Sequence, residues 1–197
     1  MSDETSEAVA AYREAVRTFD AVIQRVTGDA WAAPTPCTDW DVRQLVNHVV
    51  AENLWAPPLL AGRTVDDVAG EIPEDALGTD PLTAWVSASR AALSATDDPG
   101  LAGRTMRLSG REASAAHYLM EMAADHAIHA WDLSAALGAP ATIDVGLVST
   151  IAGWFAPQAD LWRQAGVIGP AVPTDPGTDP QTALLAAFGR AAGWTAG

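Results

Sequence analysis

Val9, Tyr12, Val16, Phe19, Ile23 and Val26 recur at spacings of three, four, three, four and three, which places them in one stripe along a helix. A stripe this long has to be covered by other helices, and the chain supplies them. The spacing predicts helix one from about Thr5 to Val26, with Gly28 as its stop. Pro34 and Pro36 interrupt the linker Asp29–Cys37, because proline lacks the amide that a helix interior requires. Thr38 then offers a hydroxyl cap with Asp41 three residues on, a variant of the capping box. Helix two is expected to turn Val42, Leu45, Val46, Val49 and Leu54 inward until Pro57-Pro58.

Residues 61–80 are polar, acidic and punctuated by Gly and Pro, the composition of a long loop with room for a short helix. Asp80-Pro81 is a cap followed by a first-turn proline and opens helix three, with Leu82, Trp85, Val86 and Leu93 inward and Ser89 in the same stripe. Arg104–Arg111 turns at Ser109-Gly110 and reads as extended chain or a small hairpin. Helix four runs from near Ser114 to Leu137, with Gly138 in the stop position. Asp144 caps a fifth, Val145–Phe155, which ends at Pro157 or bends there and continues to about Gln164; Asp179-Pro180 caps a short sixth, Gln181–Ala192. No run of four or more residues alternates well enough to build a sheet. The expected fold is therefore all-α, a four-helix bundle with one or two additional C-terminal helices. One domain over residues 1–197 is expected, with a core at about 5–156 and an extension at 157–197.

Composition narrows the function classes. At 197 residues folding buries roughly 70% of the unfolded surface, so a core forms without disulfides or a structural metal. All 11 basic residues are arginine, and against 25 acids they leave a charge of −14. Nucleic acid and anionic membranes are poor partners for such a chain, since both require concentrated positive charge. The single cysteine, Cys37, excludes an intrachain disulfide framework and a Cys-rich zinc knuckle. The acidic start MSDETSEAVAAYREA lacks the basic, apolar form of a signal peptide, and no segment approaches the ~18 apolar residues of a membrane span. A cytoplasmic protein, monomer or homodimer, acting on small molecules is expected. The lack of lysine, with abundant Ala, Gly and Pro, resembles the usage of a GC-rich actinobacterial genome.

Three of the four histidines lie where chemistry can be built. His48 falls mid-way along helix two, in QLVNHVVAENL, and His126 and His129 fall in helix four, in MEMAADHAIHAWDL. Asp125 and His129, four apart, share a helix face and can converge on one cation as a half-site. Two histidines and a carboxylate with open positions are the usual composition of a catalytic zinc site, and also suit Fe(II), Ni or Mn. Taken alone, His48 also reads as a satisfied core histidine, and the Asp125–His129 pair as a surface hydrogen bond.

The segment TPCTDWDVRQLVNHVV (Thr35–Val50), followed by ADHAIHAWDLSAALG (Ala124–Gly138), resembles the metal-binding family of mycothiol-dependent maleylpyruvate isomerase-like proteins in the DinB-like superfamily. The closing segment, Ile168–Trp194, resembles an actinobacterial branch of it. The resemblance implies a four-helix bundle holding a divalent metal, zinc first and Ni, Fe or Mn as alternatives. Its ligands would be a histidine on the second helix and an acidic-xxx-His pair on a later one. By position these are His48, Asp125 and His129. The isomerase is expected to carry Glu where this chain has Asp125, one methylene shorter. The family's enzymes bind a low-molecular-weight thiol such as mycothiol and use the metal to lower its pKa. The larger isomerase also has a separate C-terminal domain, which this chain is expected to lack.

Neighbouring residues keep several readings. Glu52, four after His48, and Glu121, four before Asp125, are alternative carboxylate ligands or outer partners; Asp132, three after His129, can orient that imidazole. His126 points about 100° away from Asp125 around the helix and faces either the pocket or another helix. Trp131 reads as packing. Cys37, ahead of a helix start, reads as a small packing residue rather than a nucleophile. Arg104, Arg107 and Arg111 either bind a carboxylate of substrate or thiol cofactor, or neutralise the acid-rich loop around Asp66–Asp80. The expected function is metal-dependent transfer or isomerisation of small electrophiles, with a metal-activated thiol or water rather than a side chain as the nucleophile. The alternatives are a non-catalytic metal- or ligand-binding bundle linked to stress, and an interaction protein whose eight tryptophans serve as anchors.

Overall fold

The computed structural model describes residues 3–196. The first helix, α1 (Asp3–Ile23), buries Val9, Tyr12, Val16, Phe19 and Ile23, as their spacing predicts. It ends before Val26, which is buried from the turn that follows; Gly28, at φ 52°, opens a 3-10 turn over Gly28–Ala32. Helix α2 (Val42–Leu60) is capped by Asp41, not by Thr38: the Asp41 carboxylate accepts from the Gln44 amide at 2.8 Å, and the Gln44 side chain accepts from the Asp41 amide at 3.0 Å. A start at Thr38 would place a turn of helix ahead of the apolar face, which begins at Val42. The helix also runs through Pro57 and Pro58 to Leu60, where the Ala61 amide closes onto the Pro57 carbonyl.

Within residues 61–80 lies the short α3 (Val65–Val68), capped by Thr64. Asp80 caps α4 (Pro81–Ala95), which buries Trp85 and Ser89. Val86, expected inside, is 39% exposed, because it sits one position round the helix from the stripe of Trp85 and Ser89. The extended segment is a hairpin, β1 (Thr105–Leu108) antiparallel to β2 (Arg111–Ser114), registered from Thr105↔Ser114 to Leu108↔Arg111. It is the small hairpin that the turn at Ser109-Gly110 suggests, carried past Arg111 to Ser114. Only Met106 of its residues is buried, so the strands carry no alternating pattern to read.

Ser114 caps α5 (Ala115–Ala136), and Gly138, at φ 72°, follows its end. Helix α6 (Val145–Phe155) continues through a 3-10 turn into α7 (Ala159–Gln164), the bent continuation expected at Pro157. Helix α8 (Pro180–Ala187) stops before Ala192. Gly189 turns the chain there at φ 80°, where a Cβ would stand 3.1 Å from the Pro170 carbonyl oxygen. The bundle consists of α1, α2, α4 and α5: α1 lies along α5, and α2 packs against both α4 and α5. Helices α6 and α8 pack together, and α6 rests on α1 and α5. No helix among the described residues is long and apolar enough to cross a membrane.

Asp41→Ala is expected to lower unfolding stability by about 1 kcal/mol, the usual loss of a helix cap. Thr38→Ala should change it by less than half as much, and urea melts of the two variants check the reassigned cap.

Candidate metal centre

Helix α5 is buried on nearly every side and presents one polar stripe to a cavity. Tyr118, Met122, Asp125 and His129 follow one another at helical spacing along it. Helix α2 faces this stripe with His48 and Glu52, one turn apart. The His48 Nε2 lies 3.0 Å from Asp125 Oδ1, and the His129 Nε2 lies 3.4 Å from the same oxygen. One donor atom from each residue falls within 4.8 Å of the other two, an arrangement that could hold a metal ion. Trp40 lies over both imidazoles, its ring centroid 4.8 Å from that of His48 and 5.6 Å from that of His129.

A second set of groups holds the first in place. His129 Nδ1 donates to Asp132 Oδ2 at 3.0 Å, which directs its Nε2 at the centre. Asp132 is fully buried and receives two guanidinium nitrogens of Arg190, Nε at 3.1 Å and Nη2 at 2.8 Å. Arg190 is itself fixed by donating Nη1 to the Phe188 carbonyl. His126 points the other way, into the bundle, where its ring meets Tyr12 edge-on and its Nε2 lies 2.7 Å from Asn53 Nδ2.

Charges follow from these contacts. Burial alone would raise the Asp125 carboxyl, but His48 and His129 beside it hold it well below the ordinary range. Burial opposes charge on His129, yet Asp125 and Asp132 outweigh it and lift its pKa to about 9; the same contest raises His48. On His126 burial outweighs the pull of Asp125 and of the Met122 carbonyl and pushes it down to about 4. Burial, with Asp125 nearby, pushes Glu52 up to about 7.

The cavity beside the three residues measures about 660 Å³. Its apolar wall comes from the C-terminal part of the chain, including Leu161, Trp162, Ile168 and Phe188. Of the arginines considered from sequence, Arg111 alone lines it, bound through Nη2 to both oxygens of Glu121 at 2.6 and 2.7 Å. Arg104 is bound to the Leu60 carbonyl and to Asp98, and Arg107 stands outside beside Glu112 at 3.8 Å. The acidic loop draws on other cations, with Arg63 on Glu71 and Arg43 on Asp75. Cys37 is half-buried, and burial pushes its thiol up. His117, not considered from sequence, lies on the cavity rim 3.3 Å from Glu121.

The places of Trp40, Asn53 and Arg190 at the centre, and of the Tyr12 hydroxyl behind Asn53, do not follow from the sequence pattern. An asparagine on the apolar face of α2 was the one available signal. The partners of Tyr12 and Arg190 lie 41 and 58 residues away, beyond any local spacing rule.

A profile of the mycothiol maleylpyruvate isomerase N-terminal domain matches residues 12–134. The chain belongs to this family. The part matched to the mycothiol maleylpyruvate isomerase N-terminal domain encloses His48, Asp125, His129 and Asp132, and leaves out Arg190 and the apolar wall. Two uncharacterized proteins, from two strains of the actinobacterium Mycobacterium tuberculosis, are each 28% identical over 138 residues, 68% of this chain and 69% of theirs. No solved structure matches.

In chelator-treated protein His129 is expected to titrate near pH 9 by histidine NMR, and Asp132→Asn should move it down. Because this folded pKa lies above the ordinary 6.5, its stabilising share is complete below that value and is lost as pH rises through about 9. Stability of the chelated protein should therefore fall over that window.

Proposed function

We propose that the protein binds a divalent cation, zinc first, through His48, Asp125 and His129 and uses it to activate a low-molecular-weight thiol of the mycothiol type against small electrophiles. The observation that carries this reading is the grouping of the three donors within 4.8 Å of one another at the wall of a large cavity. The donor set fits a cation. Two ligands each about 2.1 Å from one ion stand roughly 3.0–3.4 Å apart at angles between octahedral and tetrahedral; the two nitrogen-to-oxygen separations here are 3.0 and 3.4 Å. Nickel, Fe(II) and Mn share this ligand chemistry.

When bound, the cation acts as a Lewis acid that favours the thiolate over the thiol near neutral pH. The chain's own residues do the rest. Asp132, clamped by Arg190, keeps the His129 proton on Nδ1 and its Nε2 free. Trp40 covers one side of both imidazoles and limits the approach of water. The Glu52 carboxyl, titrating near neutrality inside the cavity, can take or return one proton at the substrate.

Charge in the cavity selects the electrophile. Arg111 is held by Glu121 and Arg190 by Asp132, so neither guanidinium is free for a substrate carboxylate. Leu161, Trp162 and Phe188 instead offer an apolar bed. The reading favours an uncharged electrophile with an apolar body over a polyanion.

Protein purified without a histidine tag is expected to carry about one cation per chain, and His48→Ala and His129→Ala to fall below about 0.2. Thiol addition to an uncharged aryl halide or enone should drop to background in both variants and on chelation. Absence of uptake would overturn the reading. Uptake without turnover by any thiol would leave a non-catalytic cation-binding bundle.

A further inference from the structure

We propose that His126 is a positioning residue for Asp125, fixed by Asn53 in the tautomer that points an N–H at the carboxylate oxygen left free by His48 and His129. The inference rests on the proposed role of Asp125 as a cation ligand.

The tautomer follows from hydrogen bonds that run from α1 through α2 to α5. The Val49 carbonyl can only accept, so the Asn53 atom 2.8 Å from it is the amide nitrogen Nδ2. The Tyr12 hydroxyl donates to the other end of the amide, Oδ1, at 2.5 Å. The same Nδ2 lies 2.7 Å from His126 Nε2. An amide nitrogen has no lone pair to offer, so it donates and Nε2 accepts; the proton of the neutral ring is then on Nδ1. Both hydrogens of the Asn53 amide are used, and nothing on that side remains for His126 Nδ1.

That Nδ1 faces Asp125 Oδ2 at 3.7 Å. Both atoms are buried, and neither has a hydrogen-bond partner among the described residues. The Met122 carbonyl one turn earlier is the other acceptor near the ring. A donor and an acceptor, each unsatisfied, therefore face each other across a gap that a shift of about 0.8 Å closes to hydrogen-bond length. With Oδ1 facing both imidazoles and Oδ2 drawn to His126, the carboxylate plane is fixed. Asp125 is then confined to one ligating oxygen, which keeps further coordination positions open to a substrate atom. Outer partners of this kind govern cation affinity as well as orientation.

Two substitutions separate this role from simple core filling. Asparagine places its amide nitrogen where Nδ1 stands, whereas glutamine places its polar end where Nε2 stands. His126→Asn is expected to keep zinc affinity within about threefold, and His126→Gln to lose about ten- to a hundredfold. Competition with a chromophoric chelator measures both, and the visible absorption of the cobalt(II)-loaded protein should change shape in His126→Gln alone. Nitrogen-15 NMR of the wild-type ring should show the Nδ1–H tautomer, a readout that depends on no variant folding. A proton found on Nε2, or His126→Gln binding zinc as tightly as wild type, would overturn the proposal while leaving the ligand set intact. Failure of the wild type to take up zinc would remove the ligand set, and this proposal with it.

Discussion

Helix α5 is buried nearly all round and yet carries His126, His129, Asp132 and Ser134 in its interior-facing length, with Asp125 half-covered among them. Polar groups in such a place are unfavourable unless each finds a partner. The partners come from different parts of the fold: His48 and Asn53 from α2, Tyr12 acting on Asn53 from α1, and Arg190 from beyond α8. Ser134 is satisfied locally, donating to the Trp131 carbonyl and accepting from the Ala141 amide. The packing of the bundle and the geometry of the candidate centre are consequently one problem. A bundle that slid α2 by one turn along α5 would strand a carboxylate and two imidazoles.

This arrangement explains which features could be read from the sequence. The stripe on α1 is legible because burial of one helix face leaves a period of three and four, and the caps at Asp80, Asp144 and Asp179 are legible because a cap is a local event. The Asp125–His129 pair is legible for the same reason, being one turn of one helix. Partners set by tertiary packing left no such trace. Arg190 reaches Asp132 only because the chain reverses after α8, and Trp40 covers the imidazoles only because Asp41, rather than Thr38, starts α2 and leaves Trp40 in the preceding loop. The arginine cluster failed as a unit because adjacency along a hairpin is not adjacency in space. Arg107 and Arg111 lie at different positions of β1 and β2, and their carboxylate partners are different.

The C-terminal part of the chain belongs to the site as much as the matched bundle does. Leu161, Trp162, Ile168 and Phe188 line one side of the cavity, and Arg190 anchors the carboxylate behind His129. The bundle alone presents donors on α2 and α5; the segment after α6 turns that exposed face into a walled space. The apolar wall thus comes from a different stretch of sequence than the three donors, and Arg190 ties that stretch to the geometry of His129.

The chain's −14 charge takes on a local meaning at this centre. Asp125 and Asp132 contribute two negative charges and Arg190 one positive, which leaves one negative charge buried. Without a cation the buried negative charge draws both imidazoles toward their protonated forms, His129 most strongly, with its pKa lifted to about 9. Under the proposed function a divalent ion would take the place of protons on the imidazoles, and its two positive charges against that one negative charge would leave a single positive charge. One positive charge at the wall of an otherwise neutralised cavity is the complement of one thiolate. A dianion would exceed what the centre can balance, because Arg111 is already committed to Glu121. Under that proposal, a preference for a singly charged nucleophile and an uncharged electrophile would follow from the same ion pairs that let α5 be buried.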